Sequence, residues 1–398
     1  MAIYSPFSKS QLLPQEEKLE IARHKSELFI GIPKETSYQE RRICLTPDAV
    51  SSLISHGHRV MMEAGAGESS SYSDREYSDA GAEITNDTKK VMGCPMILKV
   101  EPPTLSEIEM MHPETIIISA IQIKTQKKEY FEALATKKIT ALAFEFIKDE
   151  DGSYPAVKSL SEIAGTASIL IASELMIGEK IGKGLLFGNI TGVPPTKVVI
   201  IGAGTVAEFA AKTALGLGAS VEVFDNSITK LRRLQNTLNQ RIFTSTIQDK
   251  SLLKALRRCD VAIGAMKGKN RAPIIVTETM VEHMKKGAVI VDVSIDTGGC
   301  FETSEVTTHE KPTFIKNGVI HYCVPNIPSR YSKTASMSIS NIISPFLLQI
   351  AEDGGIESAI RCNSGLKHGI YSYHGLLTNK AIADWFNLEH RDINLIVF

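Results

Sequence analysis

The stretch KVVIIGAGTVAEFAAKTALGLGASVEVFDNS, residues 197–227, decides the fold. It contains an apolar run, a turn of the form G-x-G-x-x-A, a helical segment that ends at Gly218, and a second apolar run that ends in Asp225. A strand, tight turn, helix and strand in this order form a βαβ unit of a parallel sheet. The pattern therefore predicts a doubly wound α/β domain that binds a dinucleotide.

The glycine-rich turn has small residues where a pyrophosphate needs close contact with the backbone. Gly202 permits the tight turn, Gly204 leaves room for the phosphates, and Ala207 replaces a third glycine where helix and strand pack closely. We expect the helix to begin near Thr205, with its free N–H groups and positive dipole end facing the phosphates.

Asp225 and Lys230 bear on the choice between NAD and NADP. A carboxylate at the end of the second strand accepts hydrogen bonds from a ribose diol and repels a 2′-phosphate. Asp225 therefore favours NAD. Lys230 is compatible with NADP, with an adenine-side contact or with a solvated surface position.

Further apolar runs of strand length alternate with helical segments along the chain. Runs that are apolar on both faces are typical of parallel sheets covered by helices on both sides. One series consists of residues 28–32, 59–64, 96–100, 116–121 and 139–145. The second series consists of residues 197–202, 220–225, 242–246, 260–265, 288–294 and 319–324, enough for a complete Rossmann domain.

Apolar segments over residues 161–180 and 338–353 predict helices that cross between the two series. The predicted fold class is α/β, with two doubly wound parallel-sheet domains and a Rossmann NAD-binding domain inserted into a discontinuous substrate domain. The predicted boundaries are an N-terminal extension over 1–27, a substrate and catalytic domain over 28–155 and 333–398, and the NAD-binding domain over 156–332. Within the extension, residues 14–27 predict a polar amphipathic helix.

Composition limits the class of protein. The net charge of -1 gives no electrostatic basis for binding nucleic acid or an anionic membrane. No apolar run is long enough to span a membrane, and the N-terminal residues lack the pattern of a secretory signal. The six cysteines have no C-x-x-C spacing, which favours reduced cytoplasmic thiols over disulfides or a metal site.

Polar residues that follow the predicted strands are candidates for chemistry. Asp296 follows the strand AVIVDVS, near the expected nicotinamide, and Asn326 follows the last strand of its series. In the first series, Arg42 is suited to hold a carboxylate by paired hydrogen bonds, although Arg41 is an equal candidate from composition alone. Glu145 ends a strand and either faces the cleft or forms an ion pair.

The stretch ILKVEPPTLS, residues 97–106, brings two charged residues to the end of another buried strand. Lys99 is either a substrate contact or a residue that shapes the loop, and Glu101 follows it. Both are predicted catalytic residues, together with Asp296 and Arg42.

Several long segments resemble the alanine dehydrogenase family, to which the α subunit of nicotinamide nucleotide transhydrogenase is related. They are IGIPKETSYQERRICLTPDAV, the nucleotide-binding stretch, VIVDVSIDTGGCFETS, TTHEKPTF, HYCVPNIPSRYSKTASMSISN and SYHGLLTNKAI. The resemblance implies two domains, a homohexamer, NAD, and reversible oxidative deamination of L-alanine to pyruvate and ammonia.

The resemblance also implies roles for individual residues. Arg42 would hold the substrate carboxylate, and Asp296 would assist water or proton movement at the reacting carbon. Ser161 would meet the cofactor phosphates, and Asn326 the nicotinamide region. The full set of predicted cofactor contacts is Ser161, Gly202, Ala203, Gly204, Thr205, Ala207, Asp225, Lys230, Ile295 and Asn326.

The sequence departs from the family at two positions. Glu101 replaces a lysine that contacts the substrate in the family, and Gln122 in SAIQIK replaces a catalytic histidine. Glutamine does not titrate and cannot act as a general acid or base. If the chain oxidises alanine, then Lys99, Lys124 or Glu101 must replace the missing pair.

Two other hypotheses remain from the sequence. The chain is a related enzyme for another amino or imino acid, or a transhydrogenase-like subunit. Alternatively, it is a non-catalytic NAD(H)-binding sensor or scaffold, against which the presence of Arg42 and Asp296 argues.

Overall fold

The computed structural model describes residues 25–37, 39–178, 182–268 and 271–397. Within these residues, the strands form two sheets, which are connected and covered by helices. The helix predicted over residues 14–27 lies almost entirely outside the described residues. No helix in the described part of the chain is long and apolar enough to cross a membrane.

The strands agree closely with the apolar runs of the sequence. In chain order they are β1 (Phe29–Ile32), β2 (Arg59–Glu63), β3 (Glu83–Thr85), β4 (Met96–Leu98), β5 (Ile116–Ser119), β6 (Thr140–Ala143), β7 (Lys197–Ile201), β8 (Ser220–Phe224), β9 (Phe243–Ser245), β10 (Val261–Gly264), β11 (Val289–Asp292), β12 (Thr313–Lys316), β13 (Val319–Tyr322), β14 (Ile370–Tyr373) and β15 (Leu376–Leu377).

The two sheets share one winding pattern. The first has the order β15-β14-β6-β5-β4-β1-β2-β3, and the second has the order β12-β13-β11-β10-β7-β8-β9. In each, the first strand lies in the middle and the chain winds outward in both directions, which is the doubly wound arrangement. The first sheet draws strands from both sides of the second in sequence, so the predicted fold class is confirmed. The exact domain boundaries remain a prediction.

Two short hairpins add antiparallel strands that the sequence analysis did not predict. β12 pairs antiparallel with β13, and β14 pairs antiparallel with both β6 and β15. Each hairpin turns through two residues with positive φ, Asn317 and Gly318 in one and His374 and Gly375 in the other. Such two-residue turns match the twist of the flanking strands. The Asn-Gly pair was a readable signal for the first hairpin.

Helices connect the strands and cover the sheets. In chain order they are α1 (Pro47–Ser55), α2 (Asp74–Asp79), α3 (Thr88–Met92), α4 (Leu105–Met110), α5 (Lys128–Thr136), α6 (Pro155–Met176), α7 (Thr205–Gly216), α8 (Ile228–Leu238), α9 (Asp249–Leu256), α10 (Glu278–Glu282), α11 (Ser332–Glu352), α12 (Ile356–Cys362), α13 (Ser364–Gly369) and α14 (Lys380–Phe386).

The central strands are buried on both faces, which explains their apolar sequences. Every residue of β4, β6, β10, β11 and β13 is buried. Two apolar clusters contribute to each sheet's packing, and each cluster draws side chains from strands and from the covering helices. Burial of this kind is the main favourable contribution to folding.

The long helices α6 and α11 connect the two sheets. α6 starts earlier than predicted because Pro155, which has no N–H to lose, occupies its first turn. It packs along α7 of the nucleotide-binding unit and also contacts α11. Gly165 lies at the α6–α7 contact, where a Cβ atom would be 2.4 Å from the Val206 carbonyl oxygen and 2.9 Å from Phe209 Cβ. The glycine therefore sets how closely the two helices approach.

Replacing Gly165 with alanine should lower the free energy of unfolding by about 1–3 kcal/mol, because the added methyl group overlaps the neighbouring helix. Gly216→Ala is the matched control, since a Cβ there meets no atom within 4 Å. The control should be neutral or slightly stabilising. Urea unfolding midpoints measure both effects, and equal midpoints for the two variants would contradict the packing described here.

Candidate active site between the two sheets

The predicted catalytic residues lie in loops at the carboxyl ends of parallel strands. Arg42 and Glu101 follow β1 and β4 of the first sheet, and Asp296 and Asn326 follow β11 and β13 of the second. Asn326 Nδ2 donates a 3.0 Å hydrogen bond to Glu40 Oε2, which joins the two sets of loops. Ligands of doubly wound sheets bind outside the carboxyl ends of the strands, so the loops form a candidate active site.

The glycine-rich turn after β7 has room for phosphate groups. Gly202 has φ +116°, and a Cβ there would be 2.3 Å from the Ala265 carbonyl oxygen, so only glycine fits. A Cβ at Gly204 would meet no atom within 4 Å. Because α7 begins at Thr205 directly after this open space, its free N–H groups are available to an anion.

Asp225 organises the turn as well as ending β8. Its Oδ2 accepts a 2.8 Å hydrogen bond from the Ala203 N–H, and Oδ1 accepts a 2.7 Å bond from the Ser227 N–H. The side chain is buried, and an ionised carboxylate has about four acceptor sites in all. Acceptor capacity therefore remains for a ribose diol.

The other predicted cofactor contacts are placed as follows. Lys230 is exposed on α8, and Ile295 is buried in the short turn Val293–Thr297. Ala207 is fully buried in α7. Ser161 lies on α6, one helical turn before Gly165, and its hydroxyl donates to the Val157 carbonyl oxygen at 2.7 Å.

Arg42 is held by Glu40 in a buried ion pair. Its Nε donates to Glu40 Oε1 at 2.7 Å, and its Nη2 donates to Oε2 at 2.5 Å. Burial alone would raise the pKa of Glu40, because it favours the neutral carboxyl group. The charge and hydrogen bonds of the Arg42 guanidinium have a larger effect and hold the pKa of Glu40 below its ordinary value. Two of the five N–H donors of an arginine are used here, which leaves the Nη1 edge for another carboxylate.

Asn326 connects this ion pair to Asp296. Its side-chain amide donates to Glu40, and its backbone N–H donates to Asp296 Oδ1 at 3.0 Å. Asn326 has φ +54°, a conformation that asparagine adopts more readily than most residues. A continuous hydrogen-bonded chain therefore runs from Arg42 through Glu40 and Asn326 to Asp296, across the gap between the sheets.

Asp296 is exposed to solvent, but protein atoms surround its carboxyl group on several sides. This partial desolvation raises the pKa of the carboxyl group. The Asn326 N–H and the positive charges of Arg42 and Lys124 act in the opposite direction. A carboxylate in such a cleft is suited to exchange protons with a bound ligand or water.

Lys99 is buried rather than directed into the cleft. Its Nζ lies 2.6 Å from Glu107 Oε1 and 3.7 Å from Glu35 Oε2, and the residue is 2% exposed. Burial lowers the pKa of Lys99, but Glu35 and Glu107 outweigh this effect and raise it. Glu107 also forms the capping box of α4 with Thr104, so Lys99 fixes the start of that helix. The geometry favours the loop-shaping interpretation of Lys99.

Glu101 and Gln122 lie together at the ends of β4 and β5. Burial is the largest cause that raises the pKa of Glu101, and the charge of Glu40 adds to it. Hydrogen bonding from Ser37 and from the Gln122 side chain acts in the opposite direction, as does Arg42. The two residues that depart from the family's pattern thus interact with each other, and Glu101 is the titratable member.

Glu35 and Glu145 also have raised pKa values. Burial raises the pKa of Glu35 to about 8, although Lys99 and the Val100 N–H lower it. Burial likewise raises the pKa of Glu145 to about 7, opposed by the backbone N–H groups of Ile121 and Gln122.

Sequence reasoning did not identify Glu35 or Glu40 as site residues. Both lie in KETSYQERR, a segment that was singled out only for its resemblance and for its arginines. Two glutamates in the loop after a buried strand were an available signal. Glu145 was a candidate with two interpretations, and it accepts backbone hydrogen bonds instead of forming an ion pair.

Comparison with known proteins gives a consistent result. Residues 31–164 match the model "Alanine dehydrogenase/PNT, N-terminal domain", and residues 167–380 match "Alanine dehydrogenase/PNT, C-terminal domain". An alanine dehydrogenase of Staphylococcus epidermidis is 37% identical over 366 residues, which cover 92% of this chain and 98% of that protein.

Solved structures agree with these matches. An L-alanine dehydrogenase structure has a TM-score of 0.85 and 33% identity, and covers 90% of this chain and 99% of its own. A transhydrogenase from Sinorhizobium meliloti has a TM-score of 0.75 at 24% identity, with 89% and 99% of the chains covered, and shares the fold.

Glu35→Gln should change how stability depends on pH. Because burial raises the pKa of Glu35 from 4.5 to about 8, the folded protein favours the protonated form. As pH rises between these values, the wild type should lose about 1.4 kcal/mol of unfolding free energy per pH unit relative to the variant. Denaturant unfolding at a series of pH values measures this slope, with exposed Glu129→Gln as the control. A stability difference that does not vary with pH would contradict the assignment.

Proposed function

The chain belongs to the alanine dehydrogenase/PNT family, and we propose that it is an NAD-dependent enzyme that oxidatively deaminates L-alanine to pyruvate and ammonia, reversibly. The observation that carries this proposal is the hydrogen-bonded chain from Arg42 to Asp296 through Glu40 and Asn326. In this proposal, Arg42 in a loop of the first sheet binds the substrate carboxylate. Asp296 in a loop of the second sheet transfers protons beside the nucleotide-binding unit.

The residues present fit NAD. Open space at Gly204 and the N-terminus of α7 suit a pyrophosphate, and the buried Asp225 suits a ribose diol. When bound, NAD would accept a hydride from the α-carbon of the substrate. Asp296 follows β11 at the same sheet edge, so it would lie near the reacting carbon.

Arg42 would anchor the substrate through its free Nη1 edge while Glu40 keeps the guanidinium in place. This arrangement fixes the carboxylate end of the amino acid, and orientation of this kind is a major source of rate enhancement. Because Glu40 already neutralises Arg42, the anchoring depends on geometry more than on net charge.

Glu101 and Asp296 would move the protons. Glu101 takes a proton from the substrate ammonium, so that loss of the hydride gives an iminium group. Asp296 then takes a proton from the water that adds to the imino carbon. Glu101 returns its proton to the nitrogen, and ammonia leaves as the carbonyl forms and the hydroxyl proton passes to the departing ammonia, giving ammonium; the proton on Asp296 is released to solvent. The balance is alanine, water and NAD⁺ to pyruvate, ammonium, NADH and one proton. Burial raises the pKa of each carboxyl above its ordinary value, which makes each a stronger base for such transfers.

The oligomeric state, location, partners and domain boundaries also belong to this proposal. We propose a homohexamer in the cytoplasm, without nucleic-acid or membrane partners, and a substrate domain over residues 28–155 and 333–398 around an NAD-binding domain over 156–332. Light scattering measures the number of subunits, and limited proteolysis locates the domain boundaries.

Purified protein with NAD and L-alanine should produce NADH absorbance, and Arg42→Ala, Asp296→Asn and Glu101→Gln should each lower kcat/KM on the order of 100-fold. Exposed Asp384→Asn on α14 is the control. If the protein oxidises another amino acid but not alanine, that amino acid is the substrate. If it binds NADH but oxidises no amino acid, the protein is a sensor. Full activity in any of the three variants would remove that residue from the mechanism.

Asp225→Ser should reduce the preference for NAD over NADP at least about tenfold, because a hydroxyl no longer repels the 2′-phosphate. The ratio of kcat/KM for the two cofactors measures the preference. Lys230→Ala tests the competing role of the exposed lysine, and a preference that follows Lys230 and not Asp225 would contradict the assignment.

A further inference from the structure

Glu145 has no role in the proposed reaction, yet it lies at the carboxyl end of β6 within the short turn Phe144–Phe146. Both of its carboxyl oxygens lie 3.3 Å from the Ile121 backbone nitrogen, and Oε1 lies 3.4 Å from that of Gln122. The Glu145 side chain therefore connects the turn after β6 to the backbone of the turn after the neighbouring strand β5.

The turn at Gln122 is in an unfavourable conformation. Gln122 has φ 47° and ψ 54°, in the left-handed region that is unfavourable for a residue other than glycine. Such a residue persists only when its surroundings hold it. Two consecutive N–H groups that point to one carboxylate form an anion-binding arrangement, and here that carboxylate belongs to Glu145.

The conformation of Gln122 determines what its side chain reaches. That side chain lies close enough to Glu101 to lower the pKa of that carboxyl group. The Gln126 side chain supports the same turn through a 3.2 Å hydrogen bond from Nε2 to the Ile121 carbonyl oxygen. The contacts thus run from Glu145 to the backbone of Gln122, and from the Gln122 amide to Glu101.

We propose that Glu145 is a positioning residue, which holds Gln122 in the left-handed conformation from which its amide orients the Glu101 carboxylate. The proposal rests on the proposed function, in which Glu101 takes a proton from the substrate. It explains how a glutamine, which does not titrate, contributes to an acid–base site. Glu145 does not touch the substrate.

The groups that face Glu145 set the pH at which this support is lost. Burial raises the pKa of Glu145 to about 7, while the two backbone N–H groups, Arg42 and Lys267 lower it. The hydroxyls of Tyr130 and Tyr371 also lie within electrostatic range. Below the pKa the protonated carboxyl is a weaker acceptor for the two N–H groups, so support for Gln122 and activity should both fall.

A double-mutant cycle between Glu145 and Gln122 tests the proposal. Glu145→Gln accepts the two N–H groups less well and should lower kcat/KM for L-alanine about tenfold or more. Gln122→Gly adopts the left-handed conformation without support and lacks the amide. In that background Glu145→Gln should change kcat/KM by less than about twofold. Additive losses would overturn the proposal.

The pH profile supplies a readout that a merely structural role would not change. The part of the fall in kcat/KM that follows protonation of Glu145, with a pKa of about 7, should disappear in Gln122→Gly as well as in Glu145→Gln, whereas any fall caused by protonation of Glu101 and Asp296 should remain. Gln122→Gly alone therefore tests the proposal if Glu145→Gln does not fold. The NAD dissociation constant should stay unchanged in all variants, and exposed Glu129→Gln is the matched carboxylate control. Persistence of this fall in Gln122→Gly would overturn the proposal.

Thermal unfolding makes the test independent of turnover. The change in melting temperature caused by Glu145→Gln should be more unfavourable in the wild-type background than in the Gln122→Gly background, because glycine needs no support. Removal of the buried charge contributes to both backgrounds and cancels in this comparison. If the wild type oxidises no amino acid, the proposed function fails, and this second cycle still decides whether Glu145 supports Gln122. Equal changes of melting temperature in both backgrounds would overturn the proposal.

Discussion

The buried Glu40 carboxylate is the group on which the candidate site depends. It accepts two hydrogen bonds from the Arg42 guanidinium and a third from the Asn326 amide, which belongs to the other sheet. Removing one partner of a buried ion pair leaves an uncompensated charge and typically costs about 3–5 kcal/mol. The pair is therefore a fixed reference point, and Asp296 is positioned from it through Asn326.

The same region shows how burial makes acidic side chains useful. Glu35, Glu101, Glu145 and Asp296 each have a raised pKa, with desolvation as the largest cause. Glu40 has a lowered pKa because Arg42 lies directly against it. Residues of nearly identical chemistry are thus divided into one carboxyl group whose charged form is favoured and several whose protonated form is favoured.

Most of the fold was predictable because the signals were local. Strands such as β4 and β10 are buried on both faces and are apolar throughout, so the runs at 96–100 and 260–265 identified them. The turn around Gly202 identified the nucleotide-binding unit for a similar reason, since only glycine has room there. The short strands β3, β12 and β15 were missed because they lie at sheet edges, where neither length nor apolar character distinguishes a strand from a loop. β14 was missed although it lies between β6 and β15, because its four residues IYSY do not form an apolar run of strand length.

By itself, the sequence determined the two-sheet α/β architecture, the nucleotide-binding turn and the residues at the carboxyl ends of the strands. It predicted Arg42, Glu101, Asp296 and Asn326 as candidate site residues, from strand ends that can be read from apolar runs and from the family resemblance. Only the tertiary structure decided the partners: that Lys99 is enclosed by Glu107 and Glu35, that Arg42 is paired with Glu40, and that Glu145 supports the Gln122 turn. The reason is physical. A residue's burial and pKa depend on groups distant in sequence, and those distances are set only when both sheets have packed.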